Sequence, residues 1–397
     1  MTEVELDRPP PTDDARRRAA RILAHVRGLT DEFVEFVSEL ARMESPTDDP
    51  GSQEPVQAHI ASALEPLGFS VRRIAARGVG DHFLARPRTR SGPLQLLVGH
   101  TDTVWPHGTL AGMPVQVVDG RLHGPGTLDM KGGVSQMVFA LRTLTELGLE
   151  PPATPVIFLN TDEEIGSPDS KRHVRRLARI ASRCFVPEPA LAPDGRIKTA
   201  RKGVGRFRVS LRGRAAHAGL EPEAGASAIR ELAHWIAGLD ALNDPESGTT
   251  LNVGVVHGGT RANVVAAEAS AEIDVRVLST AEGERVEKRI REMPIRDPRV
   301  VARVTGGFAS VPLERTPRNR RLWAEALRAG DALGFELAEA TAGGGSDGNT
   351  TSLYTATLDG LGCVGDGPHA DHEHLRIDAT VDRCALLATL LLAPIGR

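Results

Sequence analysis

The sequence predicts an α/β protein: a mostly parallel-sheet domain interrupted by a smaller α+β insert. Two observations carry this. Short apolar runs alternate with helical patterns up to about residue 200 and again after about 305. That is the rhythm of βαβ units around a sheet buried on both faces. Between them the pattern changes to longer strands beside two helices, as in an antiparallel sheet covered on one face. The expected division is therefore 1–200 and 305–397 for the interrupted domain and 201–304 for the insert.

Taken in order, residues 1–14 read as loose, because three consecutive prolines at 9–11 cannot lie inside a helix. Helical spacing of apolar residues follows near 15–28 and 30–43, and again from 54 to 67, where Gly68 stops it. Strands are expected at 94–98, 155–160 and 184–186, separated by helices at 132–147 and 171–180. In the insert, strands at 206–211, 250–256, 267–277 and 299–304 accompany helices at 225–239 and 281–292. After it come a helix at 317–332, a strand at 334–338, a glycine-rich loop at 342–348, a strand at 355–358 and a last helix at 378–392.

Composition narrows the function classes. The chain has 397 residues, 48 Lys+Arg against 52 Asp+Glu, and a net charge of −4. No half is strongly basic, which argues against a nucleic-acid or anionic-membrane partner. Only five of those cations are lysine. No apolar window is long enough for a membrane-spanning helix. The N-terminus carries charges and prolines where a secretory core would sit, so a cytoplasmic location is expected. Cys184, Cys363 and Cys384 are odd in number and widely spaced. They fit neither a disulfide framework nor a zinc ribbon and read as small buried hydrophobes.

Acidic and histidine-bearing segments cluster just after predicted strands, where open α/β sheets place their ligands. After the run at 94–98 come His100 and Asp102. Two residues apart, they share a side of extended chain, so the carboxylate is expected to take one imidazole proton and leave the other nitrogen free for a metal. A glycine-flanked turn delivers Asp129 at a helix start, where an ordinary helix cap is the competing reading. Asp162, Glu163 and Glu164 follow the strand at 155–160. Side by side they repel, and bound cations reverse that cost. Glu188 stands between two prolines at a strand end. A loop at 365–374 carries His369, His372, Glu373 and His374, and local chemistry does not single out a ligand among them. The donor mix of imidazole and carboxylate suits Zn²⁺, and also Mn²⁺ or Co²⁺. Two ions about 3.5–4 Å apart with a free carboxylate as base need about this set.

These segments together resemble the dinuclear metallopeptidases of the M20 family, nearest the glutamate carboxypeptidase branch. The resemblance runs over roughly residues 30–395. It rests on GHTDTV (99–104), GPGTLDMKGG (124–133), DEEIGS (162–167), the Glu188 segment, GRAAHAG (213–219), ANVVAAEASAEIDVR (262–276), GGGSD (343–347) and the His369 loop.

The resemblance implies that His100, Asp129 and Glu188 hold one of two divalent ions per subunit, most naturally Zn²⁺. Asp129, Glu164 and His369 hold the other, with Asp129 bridging. It implies Glu163 as general base and Asp102 as the residue that orients His100. It further implies that the insert is a ferredoxin-like dimerisation and lid domain of a homodimer, whose His217 reaches the neighbouring subunit's oxyanion. Asn263, Arg276 and Gly344 then contact a small-molecule substrate, an N-acyl or peptidyl amino acid whose amide bond is hydrolysed. A lysine expected after the second-site Glu corresponds to Arg196 or Lys198. The alternatives are a deacylase or aminohydrolase for a specialised small molecule and, in a different class, an inactive binding protein. An intact Glu163 argues against the last, because a binder has no need of a proton shuttle.

Overall fold

The computed structural model describes residues 10–89 and 92–395. The described residues form two compact units: those of 10–199, 315–342 and 346–395 make one, and 200–314 with 343–345 make the other.

The first unit is built on an eight-stranded sheet in the order Phe69–Ile74, His82–Pro87, Thr154–Asn160, Leu94–His100, Ala181–Val186, Ala356–Asp359, Ile197–Arg201 and Glu339–Ala342. The four inner strands from Thr154–Asn160 to Ala356–Asp359 run parallel. The pleat explains their unbroken apolar sequences. Leu97, Ile157, Leu159 and Phe185 join the large core on one face. Leu96, Val98, Val156, Phe158, Cys184 and Val186 form a second core on the other. Successive side chains alternate sides, so a strand covered on both faces must be apolar throughout. The helices Asp13–Gly28, Gly132–Glu146, Pro317–Leu333 and Ile377–Leu391 contribute to the large core, and Lys171–Ala178 sends Val174 into the smaller one.

Several expectations change. Residues 1–9 lie outside the described residues, but helix begins at Asp13, inside the segment read as loose. Thr12 caps it, its hydroxyl oxygen accepting from Ala15 N at 3.2 Å. The strand expected at 334–338 lies instead at Glu339–Ala342. Gly334 adopts a left-handed φ of 78° after the preceding helix, and the chain needs several residues to re-enter the sheet. A small four-stranded sheet of Gln116–Val118, Arg121–His123, His374–Arg376 and Gly365–Asp366 was not anticipated. Its strands are two or three residues long, too short to show a period.

The second unit has the chain order strand, helix, two strands, helix, strand. Numbering Gly203–Arg212, Thr250–Gly258, Glu268–Val277 and Val301–Ser310 from 1 to 4, the antiparallel sheet reads 2-3-1-4. This is the ferredoxin-like arrangement. Phe207, Val209 and Leu211 alternate with polar residues and meet Leu232 and Trp235 of helix Ala228–Asp240 and Val286 and Ile290 of helix Thr280–Arg291 in one core. One sheet face is therefore covered, which is why the polar–apolar alternation is legible here and not in the first unit.

Candidate metal centre

The carboxyl ends of the parallel strands deliver the acids and histidines to one place in the first unit. Leu94–His100 ends on His100, Thr154–Asn160 leads to Glu163 and Glu164, and Ala181–Val186 leads to Glu188. Asp129 comes from the turn before helix Gly132–Glu146. His369 sits with φ 62° in the loop between Gly365–Asp366 and His374–Arg376.

Asp129 lies between the two imidazoles. Its Oδ1 is 3.3 Å from His100 Nε2, and its Oδ2 is 3.5 Å from His369 Nε2. Glu188 Oε1 lies 3.6 Å from the same His100 nitrogen, and Glu164 Oε2 lies 3.1 Å from His369 Nε2. Each carboxylate oxygen of Asp129 thus faces a different imidazole and a different second acid. Two groups of side chains have ligand atoms close enough to share an ion: His100 with Glu163 and Glu188, and His100 with Asp129 and Glu164.

Asp102 is fully buried, and it meets His100 through both its main chain and its carboxylate. His100 Nδ1 stands 2.9 Å from the main-chain carbonyl of Asp102 and 3.5 Å from its Oδ1. The carboxylate accepts from Thr47 Oγ1 at 2.8 Å and from the backbone N–H groups of Glu163 and Glu164 at 3.3 and 3.2 Å. Three further donors hold it, so the carboxylate faces His100 while it also binds the Glu163–Glu164 turn. The side chain fixes the turn that carries the two glutamates.

The electrostatics follow from four carboxylates around two imidazoles in a buried place. Burial and the neighbouring Glu188 charge push the Glu163 carboxyl well above its usual range. Burial opposes a proton on His100, but Asp102 and Asp129 outweigh it and hold that imidazole well above its ordinary value. Hydrogen bonds with Asp129 and Glu164 raise His369 to about 10. Burial would raise Asp129, yet the two histidines hold it far below the usual carboxylate range. Glu164 Oε1 is buried and has no hydrogen-bond partner among the described residues. An orphaned carboxylate oxygen within this acid-rich donor set fits divalent cations with mixed N/O ligation.

Residues 199–296 match the model of the peptidase dimerisation domain of the M20 family. Carboxypeptidase G2 of Pseudomonas sp. (strain RS-16) is 29% identical over 383 residues, 92% of this chain and 91% of that protein. A succinyl-diaminopimelate desuccinylase of Methylobacillus flagellatus is 29% identical over 327 residues, 78% of this chain and 84% of its own. The chain is thus similar along most of its length to M20-type peptidases and desuccinylases, and residues 199–296 carry the match to their dimerisation domain. The carboxypeptidase and the desuccinylase that it resembles are hydrolases acting on carbon–nitrogen bonds. The fold recurs in solved structures. Aminopeptidase PepT of Bacillus cereus superposes with a TM-score of 0.79 at 23% identity, covering 91% of this chain and 98% of the other. A dinuclear metal-binding M20 peptidase of Bacillus subtilis gives 0.69 at 17% identity, covering 92% and 98%.

The remaining M20-like site residues belong to the second unit. His217 is exposed, and its Nδ1 accepts from Gly219 N and Leu220 N at 3.1 and 3.2 Å. An accepting Nδ1 leaves the ring proton on Nε2. Asn263 lies beside it, its carbonyl accepting from Ala218 N at 3.0 Å. Arg276 grips Asp274 through Nε at 2.7 Å and Nη2 at 3.0 Å. The carbonyl of Gly344 accepts from buried Arg201 at 3.2 Å. Of the two positions matched to the expected lysine, Arg196 is an exposed partner of Asp194 at 3.1 Å, and Lys198 is buried.

Sequence reasoning missed Glu373. It is fully buried, and burial raises its carboxyl to about 7. In sequence it is one acid in a polar loop between two histidines, and nothing separates it from a solvated charge. Neither neighbouring histidine joins a ligand group among the described residues. His372 is exposed, while His374 packs its ring against His123 with centroids 5.0 Å apart.

Proposed function

We propose that the protein is a two-metal amidohydrolase that cleaves an N-acyl or peptidyl amino acid and releases an amino acid with a free carboxylate. The observation that carries this is Asp129, with one oxygen toward each imidazole. In this reading His100, Asp129 and Glu188 hold one ion and Asp129, Glu164 and His369 the other. Zn²⁺ is the natural occupant of such a donor set, with Mn²⁺ or Co²⁺ able to replace it. Ions bound there would polarise the scissile carbonyl and lower the pKa of a shared water toward about 7.

Glu163 takes the water's proton and hands it to the leaving nitrogen. Its carboxylate groups with His100 and Glu188, which places it beside the proposed ions and their water. Asp102 orients His100 and also holds the Glu163–Glu164 turn. His217, carrying its proton on Nε2, donates to the oxyanion in the neighbouring subunit of a homodimer. Asn263, Arg276 and Gly344 receive the substrate's carboxylate and carbonyl groups. We assign 1–200 and 305–397 to catalysis and 201–304 to dimerisation and closure. Three free, buried cysteines suit the reducing cytoplasm in which we place the enzyme.

The test is a substrate panel run beside metal analysis. Protein dialysed without chelator should carry close to two equivalents of metal. It should turn over some members of a set of N-acyl-glutamates, N-succinyl-diamino acids and dipeptides, and stop when the metal is removed. Full activity without metal would overturn the reading.

A further inference from the structure

We infer that Glu373 is the positioning residue that holds Asp129 between the two ligand groups, by tying together the three segments that carry His100, Asp129 and His369. The inference rests on the two-metal reading above. Glu373 Oε1 accepts from Leu128 N at 2.9 Å and from Asp129 N at 3.0 Å. Its Oε2 accepts from Gly126 N at 2.9 Å and from Trp105 Nε1 at 2.8 Å. Its main-chain carbonyl accepts from Gly124 N at 3.3 Å. One residue therefore fastens the Asp129 turn at four backbone positions.

The two other segments are attached through the same side chain. Glu373 follows His369 in one loop, and its own N–H donates to Ala370 O at 2.9 Å, closing that loop behind the histidine. Trp105 follows His100 in the segment that leaves the central strand. Fixing Glu373 against Trp105 and the 124–129 turn thus fixes three ligand-bearing segments relative to one another. A bridging carboxylate has to satisfy two ions at once, each with a ligand tolerance of about 0.2 Å. The side chain of Asp129 has few torsions of its own, so the bridge is only as well placed as the backbone behind it. A carboxylate suits this task because it only accepts, and every partner here donates an N–H.

The test uses Glu373→Gln and Trp105→Phe in the full-length protein. An amide presents one oxygen and one NH₂, so in either orientation two of the four side-chain hydrogen bonds become donor against donor. Chelated proteins are titrated with Co²⁺ while the visible spectrum is recorded. Folding is followed separately by circular dichroism and thermal melting. Folded Glu373→Gln should bind Co²⁺ about 10–100-fold more weakly, as expected when the support behind a metal ligand is lost, with an altered spectrum. Its kcat should fall more than its KM rises. Trp105→Phe, losing one donor, should shift affinity the same way by less. A lowered melting temperature with wild-type Co²⁺ affinity and spectrum would overturn the inference, leaving Glu373 a purely structural clamp. Should Glu373→Gln fail to fold, Trp105→Phe decides on the same criterion. Wild-type protein that binds fewer than two equivalents of Co²⁺ would overturn the two-metal reading instead.

Discussion

Glu163 and Glu164 are neighbours in the chain with different surroundings. Glu164 points an oxygen at His369, 3.1 Å away, while Glu163 groups with His100 and Glu188. Replacing Glu163 by Gln keeps its shape but removes the base. We expect kcat to fall by about 10²–10⁴ with two equivalents of metal retained. Metal analysis of Glu163→Gln beside Glu164→Gln checks this. Loss of an ion from the first variant and not the second would exchange their roles. At this scale His100, Asp129, Glu163, Glu164 and Glu188 were legible, because each is an unusual polar residue directly after an apolar strand or a glycine turn. Glu373 was not, since its importance comes from donors more than 240 residues away in sequence.

At the scale of elements, helix Gly132–Glu146 begins against the segment that carries Glu188. A Cβ on Gly133 would lie 1.9 Å from the carbonyl oxygen of Pro187, and one on Gly362 would lie 2.1 Å from the same atom. The backbone of the Glu188 segment is thus held between two glycines. Gly133→Ala should cost at least the ~1–3 kcal/mol of an overpacked site, because a backbone atom must move. Displacing Glu188 should also weaken metal binding. Urea unfolding and metal analysis of this variant measure the two effects. Unchanged stability would mean the helix start can shift without disturbing that segment.

At the scale of the whole molecule, the proposed crossing of His217 makes a demand on the dimer. An inactive His217→Ala chain and an inactive Glu163→Gln chain are mixed and allowed to exchange subunits. One site in each heterodimer then receives both defects and the other none. Activity should return toward about half of the wild-type value per heterodimer, if the two sites are independent. Exchange without recovery would put His217 outside the neighbouring site. The same acid-rich centre governs stability against pH. In chelated protein, burial moves Asp347, which accepts from Asn160 Nδ2 at 2.5 Å and Ser167 Oγ at 2.8 Å, from 3.8 to about 6 and Glu373 from 4.5 to about 7, and carboxylate partners move His369 from 6.5 to about 10. Each group binds its proton more tightly folded than unfolded. Each therefore contributes stability that is complete at low pH and is lost as pH rises across its interval. The urea midpoint of chelated protein should fall from about pH 5 to about pH 7, above which buried Lys131, lowered from 10.5 to about 7, opposes the fall, and bound ions should remove the share of His369 alone. A chelated protein that gains stability over this range would contradict the assignment.

The sequence by itself determined the architecture and brought candidate acids and histidines into view. Apolar runs buried on both faces, the shift to alternating strands in the insert, and acids placed just after strands are local patterns that burial imposes on neighbouring residues. Tertiary structure alone decided how those donors are held. Which oxygen of Asp129 faces which imidazole, and the use of the Asp102 carboxylate on the Glu163–Glu164 turn, depend on contacts between segments far apart in the chain. So do the clamp at Glu373 and the small sheet that carries His369. Hydrogen bonds between such segments leave no periodicity in the sequence, because the partners of a buried carboxylate are chosen by the fold and not by its neighbours.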